Sequence, residues 1–298
     1  MIITAATLRL GTRASRLAWA QAQEAASALA GVFGPGSIQM VEIRTKGDAI
    51  SERRPTGHLV VNDGQFTGEL ELALLERRID VAVHSLKDLP TVSSPALRLG
   101  AILERGDARD CLVSRHPGGL DGLPFGARIG TSSVRRAAQL AAARIDLVAI
   151  PIRGNVDTRI RRLEAGECDA LVLAAAGLDR LGVPVNEDDR MPLDLMLPAP
   201  GQGAIALQIR TEDESRVASL DHETTRVAVQ AERALLRALG GGCLAPLGVL
   251  AEVVDGQLRL RAAYEARRGF TRIDLSGPAA HPAAVVEEAA ARIRAATS

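Results

Sequence analysis

Aromatic side chains are scarce in this chain: one Trp, one Tyr and four Phe make up 2% of 298 residues. A protein that grips single-stranded nucleic acid needs a series of exposed rings for the bases to stack on, and none is available here. Cysteine is nearly as rare. Cys111, Cys168 and Cys243 are odd in number and widely spaced, which gives neither a disulfide framework nor a zinc-binding pattern. No apolar run approaches the roughly 18 residues that a membrane span requires. The opening Met1-Ile2-Ile3-Thr4 carries no basic segment followed by a long apolar one, so a secretory leader is not expected. Net charge is also missing, with 36 basic residues against 36 acidic ones. Nucleic acid normally demands a basic field, so a specific anionic small molecule is the better match. These absences lead us to expect a cytoplasmic protein with reduced thiols and with no nucleic-acid, membrane or metal partner. Lysine is limited to Lys46 and Lys87, the remaining basic residues being arginine.

Much of what is present follows one construction. Ile79, Val81 and Val83 read as a short buried strand. Ser85, Lys87 and Asp88 follow at its end, and Pro90 stops any regular continuation. The carboxyl ends of strands in an open α/β sheet form the ligand crevice, so these polar residues suit a site; they equally suit a solvated turn with a surface Lys-Asp pair. Arg128 to Gly130 reads as a second strand end, Ser132 or Ser133 as the N-cap of a helix through Ala137 to Ala143. Backbone N–H groups, hydroxyls and the guanidiniums of Arg135 and Arg136 would converge there on an anion, most naturally a carboxylate. The other possibility is a capped helix with two exposed arginines.

The pattern occurs twice more. Leu8 to Leu10 reads as a strand, followed by a turn bearing Arg13 and Ser15 and a helix from Leu17 to about Ala30. Leu147 to Ile152 is an apolar strand, followed by Arg153-Gly154-Asn155 and a helix carrying Arg159, with Ile160 and Leu163 on its buried face. Together the four turns describe a cleft suited to several carboxylates.

Strand and helix signals alternate from Leu8 to about Ala218, as in an α/β fold with largely parallel sheets. Leu70, Leu74 and Arg77 predict a helix from Phe66 to Arg77, and Ser51 to Gly64 reads as a long loop of the kind that forms lids. The polar stretch around Leu103 to Asp107 and the stiff-then-flexible Leu197-Pro198-Ala199-Pro200-Gly201-Gln202-Gly203 suit two crossings between domains. Ala204 to Ile209 is one more buried strand, and Glu223 to Leu239 a helix stopped by Gly240-Gly241-Gly242. Gly248 to Val254 and Gln257 to Tyr264 form a hairpin across Asp255-Gly256, before a last helix from His281 to about Ala296. The expected division is a first lobe of residues 1–103 with 202–218, a second of 104–201, and a small α+β domain of 219–298. Cys243, on the glycine loop, is either an accessible nucleophile or a small residue filling a tight turn. Cys111 and Cys168 lie in apolar stretches and read as packing residues.

In order along the chain, Gly11-Thr12-Arg13-Ala14-Ser15, Ala82-Val83-His84-Ser85-Leu86-Lys87-Asp88, Gly130-Thr131-Ser132-Ser133-Val134-Arg135-Arg136, Arg153-Gly154-Asn155, Leu197 to Gly203 and Gly241-Gly242-Cys243 resemble the porphobilinogen deaminase family, also called hydroxymethylbilane synthases. The resemblance runs from about Leu8 to Ala263. It implies two periplasmic-binding-protein-like lobes with mixed sheets, plus a third domain carrying the cysteine. The implied enzyme is a transferase that joins four porphobilinogen molecules head to tail, with loss of ammonia each time. They are built on a dipyrromethane cofactor held by a thioether to Cys243, and the linear tetrapyrrole is then released by hydrolysis. On the same resemblance Asp88 is the catalytic acid–base. Ser85, Lys87, Ser133, Arg135 and Arg136 hold the cofactor's carboxylates, and Arg13, Ser15, Arg153, Arg159 and Arg180 face the incoming pyrrole or the growing chain. A monomer is expected. The sequence departs from many family members at Leu59 to Phe66, where lysines are absent and Asp63 is added; Arg53 or Arg54 could substitute for the missing cations. Two rivals belong to other classes: a two-lobed anion-binding protein without catalysis, and a cysteine hydrolase using His84 or His222.

Overall fold

Short β-prone runs, several of them followed by helix-forming stretches rich in alanine or leucine, fold here into two mixed α/β sheets and a third, antiparallel one. The computed structural model describes residues 7–44, 67–92, 94–240, 246–266 and 269–297. The expected loop over 51–64, Lys46, Phe66 and Cys243 lie outside the described residues. The chain divides into two units, residues 1–105 with 204–223, and residues 106–203 with 224–298.

In the first unit β1 (Leu8–Thr12), β2 (Ile38–Glu42), β3 (Val81–Ser85), β4 (Leu97–Ile102) and β9 (Ile205–Arg210) form one sheet in the order β2-β1-β3-β9-β4. β1 is parallel to β2 and β3, while β9 runs against β3 and β4. Helix α1 (Arg16–Phe33) starts where Ser15 accepts a hydrogen bond from the Ala18 N–H and ends at Gly34, whose φ is 91°. It lays Ala22, Ala25 and Leu29 on Leu10, Val83 and Leu207. Helix α2 (Gly68–Leu75) covers the other face, with Leu70 and Leu74 against Ile79 and Ala82. A sheet covered on both faces buries its central strands, and all six residues of β9 are buried, the polar Gln208 and Arg210 included.

The helix predicted to reach Arg77 stops at Leu75. Arg77 takes φ 56°, its N–H bonds the Leu74 carbonyl and the Arg78 N–H bonds that of Ala73. This is a Schellman close with arginine in the position glycine usually fills, so the sequence carried no stop signal.

At the end of this sheet away from the strand-end turns, Arg210 is 4% exposed. It donates to Asp80 and Asp213 and to the carbonyls of Leu74 and Ile79. Burial alone would raise the Asp80 carboxyl, yet hydrogen bonds from Arg9 and Arg210 hold it below its ordinary range.

The second unit holds two sheets. β5 (Asp110–Ser114), β6 (Arg128–Gly130), β7 (Val148–Ile150) and β8 (Ala170–Ala174) lie in the order β5-β8-β6-β7. β6 is parallel to β7 and β8, and β5 is reversed. Helix α3 (Val134–Ala143) contributes Leu140 to one buried cluster, while α4 (Val156–Glu164) and α5 (Ala175–Arg180) contribute Leu163 and Leu178 to another. Helix α6 (Glu223–Ala238) and helix α7 (Pro282–Thr297) pack on one face of an antiparallel sheet of β10 (Leu247–Val254), β11 (Gln257–Ala266) and β12 (Gly269–Pro278). Asp255 and Gly256 both have positive φ, 49° and 72°, the type I′ turn their sequence suggests. β12 was not read from the sequence, although Ile273 and Leu275 pack against the cluster while Arg272 and Asp274 are exposed.

Replacing Arg210 by Met removes the buried guanidinium that Asp80 and Asp213 share, leaving Asp80 with Arg9 and Asp213 with Arg216, and removing one partner of a buried pair typically costs about 3–5 kcal/mol. Urea denaturation of Arg210→Met should show a loss of that order; a loss below about 1 kcal/mol, the scale of a surface pair, would contradict the buried assignment.

Candidate active site

Because β1 and β3 are parallel neighbours, the turns at their carboxyl ends lie side by side. Arg13, Ser85 and Asp88 consequently line one pocket, together with Ala18, Gln21, Thr67, Val83 and His84. Asp88 closes a single 3₁₀ turn, Leu86–Asp88, and is exposed. Lys87 lies half-buried in the same turn but outside the pocket lining, and Ser15 caps α1 beside it. Within the lining, the Ser85 hydroxyl donates to Gln21 Oε1 at 2.9 Å.

His84 is 5% exposed, and its Nε2 lies 3.0 Å from Gln208 Oε1. Gln208 Nε2 donates in turn to Glu71 at 2.8 Å. Since a carboxylate can only accept, the Gln208 amide is oriented, its oxygen must accept, and the proton of His84 sits on Nε2. Burial, the largest influence, and the nearby Arg13 guanidinium push the His84 imidazole down to about 4. A neutral ring so held is unsuited to being the base of a cysteine hydrolase, which must gain a proton near neutral pH.

In the second unit the equivalent edge is formed by β6, β7 and β8. Ser133 caps α3, accepting from the Arg136 N–H at 3.4 Å, and the Ser132 hydroxyl donates to the Ile152 carbonyl at 3.1 Å, tying this turn to the one after β7. Arg153 is exposed in that second turn. Arg159 folds back to donate to the Gly154 carbonyl at 2.7 Å, and Arg180 donates to the Gly203 carbonyl at 3.1 Å.

Arg135 and Arg136 are 4% and 6% exposed, so the alternative of an exposed pair on a capped helix is excluded. Both bind Asp110, each at 2.7 Å, and they also donate to the carbonyls of Leu197 and Val172. Burial alone would raise the Asp110 carboxyl, but the two guanidiniums hold it far below the carboxylate range. Burial, followed by repulsion from Arg136, lowers Arg135 in spite of Asp110. Two cations share one anion, and Nε of each arginine is buried with no hydrogen-bond partner. A ligand carboxylate would satisfy both the excess charge and the orphaned donors.

Sequence reading missed Asp110, Gln21 and Gln208. Gln21 did leave a signal, a polar residue in register with Ala18, Ala25 and Leu29 on the apolar stripe of α1. Cys111 and Cys168 are buried in one apolar cluster, and burial pushes Cys111 up to about 11 and raises Cys168 too, which makes both poor nucleophiles.

An acid and an arginine line one pocket in the first unit, and two arginines share one carboxylate in the second, an arrangement that suits a small molecule bearing carboxylates. The sequence matches the family model of the porphobilinogen deaminase dipyrromethane cofactor binding domain over residues 8–218, and that of the porphobilinogen deaminase C-terminal domain over 226–295. It is 47% identical to a porphobilinogen deaminase of Desulforudis audaxviator, over 95% of this chain and 93% of that one. It is 46% identical to porphobilinogen deaminase 1 of Streptomyces coelicolor, over 95% and 92%. Among solved structures, the methionine binding protein MetQ aligns with a TM-score of 0.45 at 12% identity, over 72% of this chain and 89% of that one. The chain belongs to the porphobilinogen deaminase family.

The His84 assignment has a pH signature. A histidine whose folded pKa lies below its unfolded value stabilises the fold fully above the unfolded pKa, near 6.5, and loses that contribution as pH falls toward about 4. In NMR titration the His84 ring should stay in the neutral Nε2–H form from about pH 8 to about pH 5, whereas a midpoint near the ordinary histidine value would contradict it.

Proposed function

We propose that this chain is a hydroxymethylbilane synthase, condensing four porphobilinogen molecules head to tail on a dipyrromethane primer and releasing the linear tetrapyrrole by hydrolysis. In each condensation the substrate's aminomethyl C–N bond breaks and a C–C bond forms to the free α-carbon of the preceding ring. One ammonia leaves, and the α-hydrogen departs as a proton. Primer attachment follows the same balance, with the Cys243 S–H in place of the pyrrole C–H.

The observation that carries this reading is the convergence of Asp88, Arg13 and Ser85 on one pocket at the ends of parallel strands. An exposed carboxylate there is suited to protonate the departing amine, to offset the positive charge of the azafulvenium ion left behind, and to take up the α-proton afterwards. Arg13 and Ser15 in the first unit, and Arg153, Arg159 and Arg180 in the second, would receive the acetate and propionate groups of the substrate or growing chain. Ser85 and Lys87, with Ser133, Arg135 and Arg136, would hold those of the cofactor. The partnerless Nε–H groups of Arg135 and Arg136 support that assignment. When bound, the cofactor supplies the nucleophilic α-carbon on which the chain grows.

Among the described residues no helix is long and apolar enough to cross a membrane. A cytoplasmic monomer in three domains, the last beginning near residue 219 and bearing Cys243, completes the proposal.

Asp88→Asn keeps the side chain's shape while removing its charge and its ability to cycle a proton. The variant should fold normally and lose at least about 10²-fold in turnover, at the low end for a general acid–base group. Hydroxymethylbilane formation at more than about a tenth of the parent rate would remove Asp88 from the central role.

A further inference from the structure

Gln139 lies on α3, one turn beyond Arg135 and Arg136, and is 1% exposed. Its Oε1 accepts from the Leu197 N–H at 2.8 Å and its Nε2 donates to the Leu197 carbonyl at 2.9 Å. The amide thus pairs with both main-chain groups of one residue as a neighbouring strand would. Arg135 donates to the same carbonyl at 2.6 Å, so both lone pairs of that oxygen are taken by α3.

The adjoining residue is gripped from the other side. The Val249 N–H on β10 donates to the Pro198 carbonyl at 2.8 Å. At Gly248 a Cβ would stand 2.9 Å from Gln139 Nε2, from Leu197 Cβ and from the Leu197 oxygen. Helix α3 and strand β10 therefore clamp one dipeptide, Leu197-Pro198, between them. Apolar contacts alone would let these surfaces slide, because burial is non-directional; the paired hydrogen bonds fix their register. β10 begins directly downstream of the glycine loop in the sequence.

We propose that Gln139, with Gly248 as its close-packed counterpart, is a positioning residue for cofactor loading. The clamp registers the helix bearing Arg135 and Arg136 against β10, the strand that follows Cys243 in the sequence. This role rests on the proposal that those arginines and Cys243 serve the same dipyrromethane.

The test uses the full-length apo chain, made in cells that produce no porphobilinogen, then incubated with porphobilinogen and followed by intact-protein mass. Gln139→Met keeps length and volume but loses both hydrogen bonds; Gly248→Ala wedges the clamp with a methyl group. Loading per folded chain should slow by about tenfold or more in each, the scale of ångström-level misplacement. Turnover of the fraction that does become loaded should stay within about twofold of the parent, a split that mere loss of folded protein would not produce. Loading at the parent rate in either folded variant overturns the role, as does failure of both to fold, since the clamp would then build the unit rather than register it. If the parent chain itself gains no mass, the fault lies in the proposed function.

Discussion

Asp110 is a fully buried carboxylate shared by two guanidiniums, and the second unit is arranged around it. An ionised group so deep is tolerable only with charged partners and complete hydrogen bonding. Arg135 and Arg136 reach it from α3, and Gln202 reaches it from the segment after Leu197 at 2.9 Å. The start of β5, the start of α3 and that segment are thereby drawn to a single point. The cluster still carries an excess positive charge. Two cations against one anion is the feature on which the proposed carboxylate-holding role of Arg135 and Arg136 rests.

The first unit handles its polar groups differently. Its buried charges, Asp80, Arg210 and Asp213, pair with one another and with Arg9 and Arg216 at the end of the sheet away from the strand-end turns. The pocket end carries the exposed Asp88 and half-buried Arg13 and Ser85. Buried ion pairs gather at one end of the sheet and the pocket lies at the other, where ligand crevices of α/β sheets form. Gln21 in the pocket lining orients Ser85, while Gln208 and Glu71 fix which nitrogen of His84 carries the proton.

The legible parts of the sequence were those set by local physics. Ser133 caps its helix, Asp255-Gly256 turns its hairpin, and the strand ends bearing Arg13, Ser85 and Asp88 follow from a few neighbouring residues. Long-range pairing was not legible. Asp110 meets Arg135 across 25 residues, and nothing local to either motif announces the other. β9 inserts between β3 and β4 after the whole 106–203 segment has intervened. Arg77 ends α2 in a left-handed turn that sequence preference assigns to glycine. β12 alternates regularly, but as an edge strand with charged residues on its open side it resembles a polar connection.

The account stands or falls on the covalent primer. Intact-protein mass of the purified wild-type chain, with peptide mapping and Ehrlich's reagent, tests it most directly. The chain should exceed its sequence mass by two linked pyrrole units, colour with the reagent, and carry the extra mass on the peptide containing Cys243. Cys243→Ser should lose the adduct, since an alcohol is a far poorer nucleophile than a thiolate at neutral pH, while Cys111→Ser and Cys168→Ser should keep it. A wild-type chain that is unmodified yet fully active in forming hydroxymethylbilane would contradict the account.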